Sequence, residues 1–517
     1  MRPRFLVHLT LLAAFSALAI PAQLAAQNNQ DNNDKKQPRY KLVDIGTLGG
    51  ANSGNNGESI IANHAGTVTG FAETSTPDPN PAFCFNPDCL VSHAFQWREG
   101  VLTDLGSLPG GGSSFTVSIN SQEQVVGFSQ NGLLDPLTGI PEFVATVWQD
   151  GGVIDLGTFG GAFGLATMNN NRQQVVGCTS SDIPDPFAPT GVFYGIGTGP
   201  QQLRAFRWQG KQLQDLGTLG GPDACGVWIN DRGQIAGASF TNSIVNPATG
   251  LPTLDPFLWE NERMLDLGTL GGTVGFAELM NNRGQVIGIS SLAEEPGACI
   301  TAAVFGTPGC HAFLWDRGIL TDLGTLGGNF SIPNWINEAG EIVGVASNQN
   351  EQTVFGFVWK KGVMTNLGTL PGDCGSQAFG LNSGGQVVGQ SISCDGSTNR
   401  AVLWEKEGPA LDLNTLVNPG SGLLLTDPKI VNDAGEIVLE GLLSNGDAHS
   451  VVLIPCKEGE EGCEDAAEGT SSRAQRNAAP ITKSPTTWTH LPPPAAAWRA
   501  QMARRYHIPS AAIGPTN

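Results

Sequence analysis

Few residues of this chain have the type and spacing that catalysis needs. Asp182 and Asp185 stand three positions apart in a long Pro-rich segment, and two close carboxylates can act as general acid and base. His93 and His311 could bind a metal ion or transfer a proton, yet each begins a repeated phrase whose other copies include Val, Arg, Asp and Phe at that place. The sequence contains no GxSxG, HExxH or DxDxDG motif. These patterns predict neither a metal nor a cofactor, and they favour binding over catalysis.

The elements that must position these residues come from an internal repeat, clearest at 311–328 as HAFLWDRGILTDLGTLGG. In each copy an Ile-Asn turn and a QVVG-like strand follow. The Asp slot of the DLG phrase holds Asp44, Asp104, Asp155, Asp215, Asp266, Asp322, Asn366 and Asp412. The Asn of the turn is Asn63, Asn120, Asn169, Asn230, Asn281, Asn337, Asn382 and Asn432. The chain therefore carries eight units.

Each unit divides into four short strands. Phe313 and Trp315 alternate with Ala312 and Leu314, the period of two that strands show. The phrases NDRG at 230–233 and WDRG at 315–318 are typical of hairpin turns in which Gly supplies a positive φ. Four strands in a unit of roughly 40 to 50 residues are the signature of a propeller blade. The sequence predicts an all-β fold, a β-propeller of eight four-stranded blades, with a solenoid as the alternative.

The two ends of the repeat complement each other. Residues 40–46 form a DLG strand with no unit before it, whereas the eighth unit meets Pro455 and Cys456 without such a strand. A closed ring must join its last blade to its first, and this pairing would remove an exposed sheet edge. We expect residues 40–46 to supply the outer strand of blade eight.

Most repeated polar and aromatic residues have a structural interpretation. The DLG Asp is expected to accept main-chain N–H bonds in the turn to the next blade. The eight Asn are expected to form the turn between the first and second strands, although a channel mouth lined by Asn is the alternative. Nine Trp are expected to pack between blades, because each fills a repeated strand slot. They are Trp97, Trp148, Trp208, Trp228, Trp259, Trp315, Trp335, Trp359 and Trp404.

The loops between the second and third strands differ in length along the chain. They are long in units one to five and have ten residues or fewer in units six to eight. Loops raised on a rigid scaffold usually carry recognition, although simple drift in loop length is the alternative. The candidate binding residues in these loops are Phe83, Phe85, Phe143, Asp182, Asp185, Phe187, Phe193, Tyr194 and Phe305.

The N-terminus predicts export. Arg2 and Arg4 precede an apolar run that ends in small residues, so we interpret residues 1–26 as a secretory signal peptide and 27–39 as a polar linker. The repeat domain is expected at 40–456, and a flexible tail, with room for one short basic helix, at 457–517. Ten Cys in an exported chain predict disulfides rather than a metal cluster, since no CxxC pairs recur. The expected pairs are Cys84 with Cys89, Cys178 with Cys225, Cys299 with Cys310, Cys374 with Cys394, and Cys456 with Cys463.

Charge and hydropathy limit the classes of partner that the chain is expected to bind. The formal net charge of −20 repels phosphate backbones, so nucleic acid is not expected to bind. No stretch after the signal reaches the roughly 20 apolar residues of a membrane span. We expect an exported chain without a transmembrane segment, in the periplasm, at the cell surface or in the medium.

The assembled phrases resemble those of a bacterial extracellular family of HAF-repeat proteins, over residues 40–455. His-Ala-Phe stands at 93–95 and 311–313, and DLGTLGG is intact at 215–221, 266–272 and 322–328. The copies DLGSLPG and NLGTLPG vary, and Arg-Ala-Phe at 204–206 departs from the phrase. The resemblance implies export and a repeated β architecture, and it implies no established activity, substrate or catalytic residue.

The leading hypothesis is a non-enzymatic exported scaffold that binds a protein or a glycan through the long loops of blades one to five. The alternative is a secreted glycan-active hydrolase or lyase on the same scaffold, with Asp182 and Asp185 as the first candidate catalytic residues. A third hypothesis is a structural role in the envelope or matrix without a specific ligand.

Overall fold

A computed structural model describes residues 37–55, 59–86, 88–187, 201–247, 249–295, 299, 309–349, 353–406, 408–457 and 463. The predicted signal peptide, most of the predicted linker and most of the predicted tail lie outside the described residues. So do three of the predicted binding residues, Phe193, Tyr194 and Phe305.

The described chain is all-β. The strands, in chain order from the N-terminus, are β1 (Tyr40–Asp44), β2 (Gly49–Gly54), β3 (Val68–Pro77), β4 (Leu90–Arg98), β5 (Val101–Gly106), β6 (Ser114–Ile119), β7 (Val125–Leu134), β8 (Pro141–Gln149), β9 (Gly152–Asp155), β10 (Gly160–Asn169), β11 (Val175–Pro184), β12 (Gln201–Gln209), β13 (Gln212–Asp215), β14 (Ala224–Ile229), β15 (Ile235–Phe240) and β16 (Leu254–Glu260). The series continues with β17 (Arg263–Asp266), β18 (Gly271–Met280), β19 (Val286–Leu292), β20 (Cys310–Asp316), β21 (Ile319–Asp322), β22 (Gly327–Ile336), β23 (Ile342–Asn348), β24 (Val354–Lys360), β25 (Val363–Asn366), β26 (Asp373–Leu381), β27 (Gln386–Ser393), β28 (Asn399–Glu405), β29 (Leu411–Asp412), β30 (Leu423–Val431), β31 (Ile437–Leu443) and β32 (Ala448–Pro455). Short 3-10 helices lie at Pro81–Phe83, Leu413–Thr415 and Pro419–Ser421.

These strands pair as four-stranded antiparallel meanders. Meander 1 is β2 to β5, and each following set of four strands makes the next, up to meander 7 at β26 to β29. Meander 8 is β30, β31 and β32 with β1 as its fourth strand, in register from Tyr40 opposite Pro455 to Asp44 opposite Val451. The N-terminal strand thus fills the place that the last unit leaves empty. Meander 8 also touches meander 1, since the Ala448 N–H donates to Asn52 Oδ1 at 3.0 Å.

Hairpin turns between third and fourth strands follow the sequence prediction. At the WDRG turn, Arg317 and Gly318 both have positive φ, 49° and 86°. This is the backbone that a two-residue type I′ hairpin requires. Gly supplies one of the two positive φ angles here, whereas in meander 4 Asn261 and Glu262 supply both, at 52° and 61°. The prediction of a hairpin at the WDRG turn is confirmed.

Neighbouring meanders join in two ways. Parallel bridges link Phe143 to Phe163, Leu254 to Val274 and Cys310 to Phe330, which merges meanders 2 and 3, and meanders 4 to 6, into larger sheets. At the junction of meanders 3 and 4 a side chain takes the place of the parallel strand bridge: the Leu203 N–H donates to Asp223 Oδ1 at 2.7 Å. Among the described strands, no sheet closes on itself.

The core lies between the meanders. Eight of the nine repeat Trp are buried there, as predicted, and Trp404 is fully enclosed; Trp335 is half-buried. A typical cluster combines Val126 and Val147 of meander 2 with Ala166, Phe206 and Trp208 of meander 3. Truncating one such Trp to Ala is expected to cost about 3–5 kcal/mol.

All five predicted disulfides are present, which confirms the four pairs drawn from local spacing and the fifth pair that these left over. They join Cys84 to Cys89, Cys178 to Cys225, Cys299 to Cys310, Cys374 to Cys394, and Cys456 to Cys463. Within the described ranges no helix has the length and apolar character to cross a membrane.

Candidate functional site

The long loops rise as extended hairpins from meanders 1 to 3. Their second strands, β3, β7 and β11, have ten residues each, against six to eight in the other five meanders. In each case the ladder shifts register before the extension, which ends with Pro77 opposite Leu90, Leu134 opposite Pro141, or Pro184 opposite Gln201. We call these hairpins, with the corresponding loop of meander 4, the hairpin face.

The predicted aromatic residues of this face point inward. Phe143 is buried, and Phe85 and Phe187 pack against the same apolar cluster. The ring centroids of Phe85 and Phe143 lie 5.0 Å apart, and Phe187 lies 5.7 Å from Phe240. Phe83 ends the 3-10 helix Pro81–Phe83 and is half-buried. These side chains anchor the loops to the core, and whether they bind a ligand stays a prediction.

The exposed apolar side chains of the hairpin face are aliphatic, and the sequence analysis missed them. Six of them, exposed by 46% to 77%, stand on three consecutive meanders: Leu133, Leu134, Leu137, Ile183, Ile244 and Val245. The signal that could have found them is position. Leu133, Leu134 and Ile183 lie in the extended ends of β7 and β11, and the other three lie in the loops that follow second strands, outside the repeated phrases.

Asp182 and Asp185 do not form a pair. Asp182 is exposed, whereas Asp185 is half-buried and adjoins Asp223, which is only 1% exposed. Burial and the nearby Asp185 carboxylate raise the pKa of Asp223 to about 8. Burial also raises the pKa of Asp185. At neutral pH these two carboxyls therefore hold a proton between them.

The DLG Asp has the structural role that the sequence predicts. In all eight copies its Oδ1, or that of Asn366, accepts the main-chain N–H two residues later, at 2.7 to 2.9 Å. The side chain of the first HAF residue, on the neighbouring strand, contacts the same carboxylate. His93, Arg204, His311, Arg400 and His449 each face their Asp in this way, at 2.9 to 3.8 Å. The His of HAF is therefore, with Arg, one of two nitrogen-bearing side chains that suit a structural slot.

In two of the meanders without His or Arg at the first position of the HAF phrase, the charge of the facing residue bears on the residue at that position. Phe355 occupies it in meander 6, where the DLG Asp is replaced by the neutral Asn366. Asp255 occupies it in meander 4, facing Asp266. Burial and the Asp266 carboxylate raise the pKa of Asp255 to about 7. At Asp322 the balance reverses: burial alone would raise the pKa of this carboxyl, but hydrogen bonds from His311 and the Gly324 N–H hold the pKa below its ordinary value.

At the other end of the strands, all eight meanders line one cavity of about 290 Å³, which we call the shared pocket. The turns between first and second strands meet there. In seven of the turns the Asn Oδ1 accepts two main-chain N–H groups; for Asn281 these are Arg283 at 3.0 Å and Gln285 at 3.1 Å. Asn382 Oδ1 accepts one, from Gln386 at 2.9 Å. The prediction that these Asn form turns is confirmed, and they line a cavity as well.

The amide nitrogens of these Asn connect the meanders. Each of seven Nδ2 groups donates to the main-chain oxygen of the Asn in the next meander. The links run from Asn63 to Asn120, Asn170, Asn230, Asn281, Asn337, Asn382 and Asn432, at 2.9 to 3.5 Å. We call these eight residues the asparagine series. The assignment of Asn169 to it is wrong, because Asn170 holds the turn while Asn169 Nδ2 donates to the Gln124 oxygen.

The floor of the shared pocket contains two Trp that were expected to pack between blades. Trp228 and Trp335 come from meanders 4 and 6, and their rings meet at 6.0 Å with an interplanar angle of 87°. Trp335 also packs against a cluster that contains Ile61 of meander 1 and Ile430 of meander 8. Both Trp therefore pack between meanders, as expected, and they line the shared pocket as well.

No protein-family model matches the chain, and no curated protein matches it by sequence. Solved structures that resemble it include the β-propeller domain of the Trilobed protease from Pyrococcus furiosus, 8% identical over 72% of this chain and 95% of that chain, with a TM-score of 0.39. The Dos1 propeller is 9% identical over 80% and 95% of the two chains, with a TM-score of 0.36. TolB from Acinetobacter baumannii is 12% identical over 76% and 81%, with a TM-score of 0.28. Since these TM-scores are below 0.5, the description of the fold rests on the strand pairing alone.

Proposed function

We propose that this chain is an exported HAF-repeat protein, an eight-bladed propeller that binds a protein partner through its hairpin face without catalysis. Three observations support the eight-bladed ring: the pairing of β1 with β32, the contacts of meander 8 with meander 1, and the shared pocket lined by all eight turns. The five disulfides support export.

The observation that carries the binding function is the aliphatic surface of meanders 2 to 4. Soluble monomers rarely leave several large apolar side chains exposed together, and such patches mark protein interfaces. The exposed Asp182 lies beside Ile183, and the chain carries a net charge of −20. We therefore expect the partner to offer an apolar patch bordered by Lys or Arg.

The test uses the full exported chain with a photo-crosslinking residue at Leu137, expressed in the producing cell. The cross-linked protein is identified, purified and titrated against the chain. We expect the triple variant Leu133→Ser, Leu137→Ser, Ile244→Ser to bind about tenfold or more weakly with an unchanged melting temperature, because the hot spots of an interface are few.

A matched control changes three aliphatic residues that are equally exposed but lie on fourth strands. They are Val101, Ile319 and Val363, at 62% to 68% exposure. The triple Ser variant at these positions should bind the partner normally. Equal loss in both triple variants, or cross-linking only to a second copy of the chain, would contradict the proposal.

A second candidate function is a glycan-active hydrolase or lyase, and the observation that favours it is the Asp185–Asp223 pair. A protonated carboxyl beside an ionised one is the arrangement that general acid catalysis uses. Turnover of a polysaccharide panel by the wild type, abolished in Asp223→Asn and retained in Asp182→Asn, would support this candidate.

A further inference from the structure

The rim of the shared pocket is asymmetric. It is formed by the residue that follows each member of the asparagine series. In meanders 2 to 5 these residues form hydrogen bonds with one another. The Ser121 N–H and hydroxyl both donate to Asn171 Oδ1. The main-chain N–H of Asn171 donates to Asp231 Oδ1, and the main-chain N–H of Asp231 donates to Asn282 Oδ1. That half of the rim has little hydrogen-bonding capacity left for a ligand.

The other half of the rim has side-chain groups that can still form hydrogen bonds with a ligand. Glu338 accepts the Asn282 N–H with one oxygen, and Asp433 accepts the Ser383 N–H with one oxygen. The second oxygen of each carboxylate, the Ser383 hydroxyl and the His64 imidazole make no hydrogen bond with the described part of the chain. These four side chains belong to meanders 6, 7, 8 and 1, so they form one continuous arc around the opening. We call it the open arc.

The walls of the pocket cannot serve as the recognition groups. Seven of the eight Asn amides in the series already accept two N–H bonds and Asn382 accepts one, and in seven of the eight the Nδ2 group donates to the next meander. The main-chain oxygens that receive these bonds also accept an N–H from their own turn, as Asn281 does from Gly284 at 3.0 Å. The asparagine series therefore fixes the shape of the pocket and leaves the chemistry to the open arc and the floor.

The floor is aromatic and apolar. Trp228 and Trp335 meet there, and Met168, Met280 and Ile60 complete it. Trp335 is half-buried, and Trp228 is 7% exposed. An aromatic base under a polar arc suits a ligand with one apolar face and hydroxyl groups at its edge.

Charge excludes strongly ionic ligands. The rim carries Asp231, Glu338 and Asp433, and the adjacent, exposed positions carry Arg172, Arg232 and Arg283. A cation or an anion in the opening would meet like charges as well as opposite ones. Although the chain as a whole is strongly acidic, this opening is balanced, which favours a neutral ligand.

From this geometry we propose that the shared pocket binds a neutral saccharide ring, with a ring face on Trp335 and Trp228 and hydroxyl groups donating to Asp433 and Glu338. The volume of about 290 Å³ lies at the lower end of the roughly 300–1,000 Å³ range of small-molecule sites, which suits one or two sugar units. The site lies at the opposite ends of the strands from the hairpin face and is independent of the protein partner proposed above.

The test is titration of the full mature chain with a panel of neutral hexoses, N-acetylhexosamines and their disaccharides, followed by calorimetry and tryptophan emission. We expect at least one member to bind and to change the emission. Asp433→Asn and Ser383→Ala should weaken its binding by about tenfold each, since each removes one hydrogen bond to the ligand. Trp335→Phe should weaken binding and reduce the emission change.

The matched control is Ser121→Ala, the same substitution at the same repeat position on the satisfied half of the rim. It should leave saccharide affinity unchanged, as should the hairpin-face triple variant, which separates this site from the proposed protein interface. Failure of every panel member at millimolar concentration, or equal losses in Ser383→Ala and Ser121→Ala, would overturn the proposal. So would preferential binding of arginine or tetramethylammonium.

Discussion

Asn281 Nδ2 donates a hydrogen bond of 3.1 Å to the main-chain oxygen of Asn337, its counterpart one meander later. The same side chain ties its own turn through Oδ1, so one residue type serves within a meander and between meanders. Asp could replace the first function but not the second, because a carboxylate has no donor. The repeat therefore requires an amide at this position.

Asn281→Asp should destabilise the fold, because the new carboxylate would face the Asn337 carbonyl oxygen and Gln285 Oε1 without a proton to share. We expect a loss of about 1–3 kcal/mol in the free energy of unfolding at pH 7. Chemical denaturation measures it. Asn261→Asp, in an exposed hairpin, should change stability by less than about 0.5 kcal/mol. Equal effects of the two substitutions would show that the link between meanders contributes nothing.

Asp255→Asn should stabilise the protein at high pH only. The pKa of Asp255 is about 7 in the folded state, above its ordinary value of 3.8, so the folded state binds the extra proton. Stability therefore falls as pH rises from about 4 to 7, and Asn removes that loss. We expect a gain of about 1–3 kcal/mol at pH 8 and little change at pH 4. A gain of the same size at both pH values would contradict the electrostatic explanation.

Repetition made most of the fold accessible from the sequence. Strand slots recur, so Trp404 could be placed in the core by comparison with its seven-fold set, and the surplus strand at 40–46 indicated its partner. Local spacing likewise identified four of the disulfides, and elimination identified the fifth, between Cys178 and Cys225. What repetition cannot give is the direction of a side chain that leaves the pattern. Trp335 follows the strand alternation but meets Trp228 from two meanders away, and no local signal encodes that distance.

The candidate sites were harder to predict for the same reason. Asp185 finds its partner at Asp223, 38 positions later, because the first strand of meander 4 lies beside the second strand of meander 3. The aromatic residues of the long loops were predicted to bind a ligand, yet Phe143 is buried and Phe85 packs against the same apolar cluster. Asn169 and Asn170 are chemically identical neighbours, so only the backbone turn decides which one joins the asparagine series.

Removing the disulfide between Cys178 and Cys225 should cost more stability than removing the one between Cys84 and Cys89. The first closes a sequence separation of 47 and joins two meanders, whereas the second closes a separation of 5 within one loop. Loop-closure entropy predicts losses of about 4 and about 2 kcal/mol for the two double Ala variants. Denaturant unfolding of both variants tests this order, and a reversed order would mean that native-state packing outweighs chain entropy.

His311 and Asp322 lie 2.9 Å apart, and the slot accepts Arg in meanders 3 and 7. His311→Arg should therefore keep the wild-type stability at pH 7, whereas His311→Asp would reproduce the acid pair of Asp255 and Asp266. Because Asp322 is partly exposed, we expect the loss in His311→Asp to be about 0.5–1 kcal/mol. Thermal unfolding of the two variants measures the difference.

The pH dependence of a third variant, His311→Ala, isolates the hydrogen bond. The folded-state pKa of Asp322 lies below 3.8, so its contribution to stability is present above that pH and disappears as pH falls through the folded-state pKa. The stability gap between wild type and His311→Ala should be present at pH 6 and should shrink as pH falls below 3.8. A gap that persists unchanged at low pH would mean that His311 acts through packing rather than through its hydrogen bond to Asp322.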